Sequence, residues 1–237
     1  MTVLALAVLA LAQDDAAAAE DAVKQFKTKM KSASVLERCE AVAELGKTPH
    51  EKTLAVLTPF LTSDLGQVRA SAARALGGFA DHKKAAIPAL QRALAPNEKD
   101  PGALAAVLSA LGSLGDGSAL PSVLAYLDHR EDSAARAATS AAGAIGTAVA
   151  IQPLIDQLRK LEKQEKSGSG GKVLAPNPNP SGATVMAAPD ERIKRRVELL
   201  LPETRKALST ASGEQLQSAD EWQAWWLRAR ATFNKKP

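Results

Sequence analysis

Aromatic side chains make up only 3% of this 237-residue chain, cysteine occurs once and histidine three times. Each shortage excludes something. With Cys39 alone no intrachain disulfide is possible. Its setting, "VLERCEAVAELG", has a helical pattern in which a small thiol fills a core gap. No histidine or basic cluster flanks it to lower its pKa. His50, His82 and His129 fall in expected turns or helix ends, too dispersed for the three or four convergent ligands that a zinc or iron site requires. The chain has no Walker loop, G-x-G-x-x-G, G-x-S-x-G or zinc-type cysteine set, so neither catalysis nor a bound cofactor is expected. Nor is there an apolar run of about 20 residues, the length that spans a bilayer.

The hydrophobic content is 46% all the same, carried by Ala, Leu, Val and Ile. That mixture favours helices packed closely through small side chains, and an all-α fold is expected. The formal charge of +4 is unevenly spread: residues 1–158 carry 15 basic and 17 acidic side chains, a net of −2, and residues 159–237 carry 15 and 9, a net of +6. The opening "MTVLALAVLALAQDD" holds an apolar run, Val3 to Ala12, that resembles the h-region of a secretory signal, with Ala10-Leu11-Ala12 as an A-x-A cleavage site. A signal peptide over 1–12, cleaved after Ala12, and an exported, periplasmic or extracellular product are therefore expected, although the n-region carries no Lys or Arg.

The strongest signal is internal repetition. The segments "ERCEAVAELGK" (37–47), "VRASAARALGG" (68–78), "ALAAVLSALGS" (103–113) and "AATSAAGAIGT" (137–147) align on Gly46, Gly77, Gly112 and Gly146, spaced 31, 35 and 34 apart. A period of this size indicates stacked helical hairpins. Each glycine is expected to end a helix in the left-handed conformation. Arg38, Arg69 or Leu104 stands eight positions before the glycine, followed by small residues such as Ala41, Ala72 and Ala141 that let helices approach closely. Asp64, Asp100 and Asp132 precede the second, third and fourth first-helices as N-caps or dipole partners. A second helix with an early proline then follows: Pro88, Pro121 and Pro153 suit a first helical turn. Pro59 lies late in "EKTLAVLTPFL" and implies a kink or a degenerate repeat.

The segment "DLGQVRASAARALGGFADHKKAAIPALQRAL" (64–94) resembles a HEAT repeat of the bacterial phycobilisome-lyase HEAT-like subtype, D-x-x-V-R-x-x-A-x-x-A-L-G followed by a P-x-L helix. Residues 103–127 match it fairly, 132–158 and 35–62 loosely. The resemblance implies an α-solenoid of about four helical hairpins over 35–160 and, for function, a binding scaffold. Some HEAT-like enzymes carry several His-Glu dyads for a di-iron centre; this chain has one, His50-Glu51.

Ahead of the repeats, Val23, Phe26 and Met30 form a narrow apolar stripe, so residues 16–32 are expected to cap the N-terminal end of a solenoid extending to 165. Periodicity then fails in "SGSGGKVLAPNPNPSGATVMAAP", and 166–188 reads as a disordered Gly/Ser/Pro/Asn linker. Residues 189–237 read as a helical C-terminal cap. There Ile193, Val197, Leu200 and Leu201 keep helical spacing. Ser218 and Glu221 form a capping box, opening a helix whose Trp222, Trp225, Trp226, Ala229 and Phe233 line one face. The segment resembles tails of exported bacterial HEAT-repeat proteins that end in a W-x-x-W-W helix, and the stripe is read as a structural anchor rather than a ligand platform.

The expected function is a non-catalytic, monomeric scaffold holding a protein partner on the concave face lined by its second helices. Gln91, Arg92, Tyr126, Asp156 and Gln157 are the candidate contact residues. Two alternatives are a lyase-like accessory protein that seats a small cofactor, and polyanion binding through the basic "RIKRR" of Arg192 to Arg196. Mixed charge around that tail makes nucleic acid the less favoured partner.

Overall fold

A computed structural model describes residues 2–32, 34–168 and 191–233 of the chain. Among them there is no strand. The helices are α1 (Thr2–Lys29), α2 (Val35–Gly46), α3 (Glu51–Leu57), α4 (Gly66–Gly77), α5 (Lys83–Leu94), α6 (Pro101–Leu114), α7 (Leu120–Leu124), α8 (Asp132–Ile145), α9 (Ala148–Gly168), α10 (Glu191–Ser212) and α11 (Ala219–Ala229). Helices α2, α4, α6, α8 and α10 pack side by side in one layer, and the second helix of each hairpin packs behind it. This is an all-α solenoid, as the repeat implies. The C-terminal region continues the stack: α10 lies against α8 and α9, and α11 rests on α9, so the cap is built as a fifth hairpin. The linker expected over 166–188 starts later than its sequence suggests, because α9 runs on to Gly168; from 169 it lies outside the described residues.

The repeat glycines work mainly by proximity. A Cβ built on Gly46 would lie 2.6 Å from the Ala75 side chain, one on Gly77 3.0 Å from the Ala110 backbone, and one on Gly112 2.7 Å from the Ala141 backbone. Gly143, not Gly146, takes this role in α8, where a Cβ would meet Ala207 of α10 at 2.6 Å. Of the four glycines expected to be left-handed, Gly146 alone is, with φ of 65°. Gly46 and Gly77 remain helical and Gly112 sits inside α6, because the need for contact between backbones precedes the need for a turn.

The prolines also differ from expectation. Pro121 opens α7, but Pro88 and Pro153 lie inside α5 and α9. Each removes a hydrogen bond to a carbonyl one turn earlier, that of the exposed Lys84 or Val149, which water can satisfy. Pro59 converts the end of the first hairpin into a 3-10 turn, Thr58–Leu61.

Of the three aspartates, Asp100 caps its helix by accepting from Ala103 N–H at 3.0 Å. Asp64 lies one residue before the N-cap Leu65, and Asp132 one residue after the N-cap Glu131. All three join neighbouring helices, Asp100 in addition to its cap: Arg38 reaches Asp64 at 3.0 Å, Arg69 reaches Asp100 at 2.8 Å and Arg196 reaches Asp132 at 2.5 Å. Asp100 presses so closely on α4 that a Cβ on Gly66 would fall 1.8 Å from its Oδ2.

The N-terminal helix α1 packs on α2 and α3. Ala19 and Phe26 are buried, Val23 and Met30 partly so, and Phe26 meets Phe60 edge-on at 5.3 Å. Glu20 pairs with Lys52, which holds its carboxyl below the usual range.

The close approaches generate a stability test. In an exposed helix Gly→Ala stabilises by about 1 kcal/mol, but Gly112→Ala is expected to destabilise by about 1–3 kcal/mol through overpacking against Ala141. Gly102→Ala, where the nearest atom is 3.5 Å away, should be neutral or stabilising. Urea unfolding of both variants measures the contrast.

Candidate functional site

The five candidate contact residues are not equivalent. Arg92, at the end of α5, is exposed, and its Nε donates to the Pro88 carbonyl at 3.1 Å. Asp156, on α9, is also exposed; it accepts from Gln152 Nε2 at 3.0 Å and lies 3.6 Å from Arg159. Gln91 is half-buried, and its amide reaches into the next hairpin, donating to the Ser118 carbonyl at 3.2 Å and to Ser122 Oγ at 3.1 Å. Tyr126 lies in the turn after α7, half-buried beside the His129 ring at 5.7 Å. Burial, reinforced by the Glu98 carboxylate, raises its pKa.

Gln157 does not belong to this surface. It is only 6% exposed, and its polar atoms are spent internally: Nε2 donates to the Leu127 carbonyl at 2.9 Å, and Oε1 accepts from Thr139 Oγ1 at 3.0 Å and Thr204 Oγ1 at 3.3 Å. A buried amide without these partners would cost about 1–3 kcal/mol, so Gln157 ties α8, α9 and α10 together instead of meeting a partner. Asn97 has a comparable place one repeat pair earlier, donating to the Leu61 and Ala93 carbonyls at 2.9 and 2.7 Å. Sequence reading missed it because a lone Asn near a helix end looks like a turn residue.

The tryptophan helix is anchored in depth. Ser218 Oγ accepts from Glu221 N–H at 3.3 Å, and the Glu221 carboxylate accepts from Gln217 and Ser218 N–H at 2.9 and 3.2 Å. Those backbone donors hold the Glu221 carboxyl below its usual range. Glu162 of α9 adds a further acceptor, for Ala219 N–H at 3.1 Å. Trp222 is fully buried and Trp226 nearly so, at 9% exposure, while Trp225 is half-buried. The Trp222 indole N–H donates to the Leu216 carbonyl at 3.1 Å. Phe233 is not on the helical stripe: α11 ends at Ala229, and the following turn folds Phe233 back to meet Trp225 and Trp226 edge-on at 5.9 and 5.4 Å. Trp222 and Trp226 are thus buried in the helix that lies against α9.

Among the described residues no three His, Cys, Asp or Glu side chains converge as metal ligands. His50 caps α3 through Nδ1, which accepts from Lys52 N–H at 3.1 Å.

Comparison with known proteins agrees with this architecture. The family model described as HEAT repeats matches residues 23–101 and 56–142. A second match, over residues 136–159, is to a model described as the ubiquitinol-cytochrome C reductase Fe-S subunit TAT signal. Those residues run from α8 into α9. No curated protein matches the chain significantly.

Two measurements test the anchor. Trp222→Ala should cost about 3–5 kcal/mol, as for a large aromatic removed from a core; Trp225→Ala should cost about 1 kcal/mol, the scale of its ring contacts. Because the Glu221 carboxyl is held below its unfolded value, its contribution to stability is present above the ordinary carboxylate range and is lost as pH falls. Glu221→Gln should therefore lower the melting temperature at neutral pH, and the difference should close on acidification.

Proposed function

Because the chain belongs to the HEAT-repeat family, we propose that it is a non-catalytic scaffold, exported from the cytoplasm, that holds a protein partner on the concave face lined by its second helices. HEAT repeats commonly serve as protein-interaction scaffolds, and the observation that carries the reading is how the stack uses its side chains. Along the first layer, small residues and Arg–Asp pairs are consumed in joining repeats. Along the second layer, Arg92 and Asp156 remain exposed and Tyr126 half-exposed on successive hairpins. A charged and aromatic row on a rigid support suits recognition of another protein. The buried Gln157 is left out of this face.

Export rests on the apolar run from Val3 to Ala12 and on the A-x-A sequence Ala10-Leu11-Ala12 that ends it. No helix among the described residues is long and apolar enough to cross a membrane. The phycobilisome-lyase subtype and the W-x-x-W-W tail remain part of this proposal, supported by the residues of 64–94 and 218–233.

Affinity capture from a periplasmic extract tests the face. The wild-type chain is expected to retain a reproducible partner that the combined variant Arg92→Glu, Tyr126→Ala loses, and unchanged capture by the folded variant would exclude this surface. Mass spectrometry of the purified native protein should find Gln13 at its N-terminus.

A further inference from the structure

The turn between α7 and α8 carries both the only tyrosine of the chain, Tyr126, and one of its three histidines, His129. The two are tied together. The His129 N–H donates to the Tyr126 carbonyl at 3.1 Å, and the half-buried rings lie 5.7 Å apart with their planes 36° from parallel. Two bonds that pin this turn to the stack do not depend on pH near neutrality: Gln157 Nε2 donates to the Leu127 carbonyl and the Arg196 guanidinium to the His129 carbonyl, both at 2.9 Å. The third does. His129 Nδ1 accepts from the N–H of Glu131, the N-cap residue of α8, at 3.2 Å. A ring nitrogen accepts only through its lone pair, so the neutral imidazole alone makes this bond.

Histidine changes charge between pH 5 and 8. Once protonated, Nδ1 carries a hydrogen aimed at another N–H, and the bond is lost. The charged groups about the turn give the ring no way to stay. Arg130 beside it, Lys160 of α9 and Arg196 of α10 repel an imidazolium. Asp128, Glu131 and Asp132 attract it, but each already holds one of those cations, Lys160 at 2.9 Å, Arg130 at 3.7 Å and Arg196 at 2.5 Å. Glu98, before α6, acts on Tyr126 itself. To avoid the cations or to reach a carboxylate, the ring must turn away from the Glu131 N–H, and in turning it leaves Tyr126. The sign follows: the contact is present while His129 is neutral and is lost as pH falls through the histidine range.

We propose that His129 is a pH-responsive latch on the partner face: the neutral ring holds Tyr126 in place, and protonation frees it and weakens the grip on the partner. The second half rests on the scaffold reading above. The first half concerns the free protein. His50 provides an internal comparison, because its Nδ1 accepts from Lys52 N–H at 3.1 Å in the same manner but in the first hairpin, where none of the contact residues lies.

A single tyrosine gives a single ring signal, so the test is NMR of the full chain labelled at tyrosine, followed from pH 8 to pH 5. Burial raises the pKa of Tyr126, so its own ionisation lies far above this range. The Tyr126 signal should move with the same midpoint as the His129 imidazole signal. In His129→Asn the side-chain oxygen can accept from a backbone N–H two residues on at every pH, and the movement should vanish. His50→Asn should leave it unchanged. A Tyr126 signal that is flat over this range, or one that moves equally in His129→Asn, would overturn the latch. Capture of the partner at pH 5.5 should fall several-fold from that at pH 7.5 for the wild type and stay constant for His129→Asn. Equal loss in both chains would overturn the regulation of the face, whereas capture of nothing at either pH rejects the scaffold reading and leaves the NMR result to judge the latch.

Discussion

The structure depends on one constraint: the first-layer helices must touch backbone to backbone. At four successive junctions a glycine faces an alanine, Gly46 with Ala75, Gly77 with Ala110, Gly112 with Ala141 and Gly143 with Ala207, with no room for another methyl group. Much of the composition follows. Helices this close leave no space for rings between them, so the interior is filled by alanine and leucine. Each buried alanine removes little apolar area from water, and stability must come from many tightly fitted contacts. The large rings lie outside those junctions: Phe79 is fully buried in the turn between α4 and α5. Phe26 and Phe60 seal the first hairpin, and Trp222 and Trp226 hold the last helix onto α9.

Close packing of smooth helical surfaces leaves their register underdetermined, and polar groups set it. Arg38 with Asp64 and Arg69 with Asp100 bridge successive first helices. Each pair is part-buried, so its geometry matters more than its net energy, since desolvation offsets most of the Coulombic gain. The ladder then changes direction. In α6 the arginine position is occupied by the buried Leu104, and Asp132 is engaged from the opposite side by Arg196 of α10, which also donates to the His129 carbonyl at 2.9 Å. In the second layer the amides of Asn97 and Gln157 do comparable work by reaching carbonyls of the preceding hairpin.

The architecture was legible because helical period, Leu-Gly endings and a repeat length are properties of short, local patterns. The capping box of Ser218 and Glu221 was legible for the same reason: its partners are three residues apart. What escaped reading depends on neighbours distant in sequence. Gly46 and Gly112 look like helix terminators until Ala75 and Ala141 are placed against them. Asp64 looks like a cap until Arg38 is found across the helix junction. Gln157 looks like a surface residue because its carbonyl partner, Leu127, lies 30 positions away. Ile193 keeps helical spacing with Val197, yet it stands 40% exposed at the first turn of α10 while Val197 is buried. The candidate contact face was legible only as the complement of the apolar stripe, and that complement contains both free side chains and ones committed to the next repeat, such as Gln91.

The fifth hairpin shows why such a chain tolerates a long interruption. Residues 169–190 separate α9 from α10, whereas the connection between α7 and α8 takes only the seven residues 125–131. Lengthening a connection about threefold adds only about 1 kcal/mol of closure entropy, because the cost grows with the logarithm of length. Against that stand the Gly143–Ala207 contact, the Arg196–Asp132 and Arg136–Glu203 pairs, and burial of Val197, Leu200, Leu201 and Leu208. In a stack where each repeat answers only to its neighbours, what matters is that α10 presents the alanine that Gly143 requires and the arginine that Asp132 requires. The route by which the chain arrives there matters little. The interface sets the order of the helices, and sequence distance is the quantity free to vary.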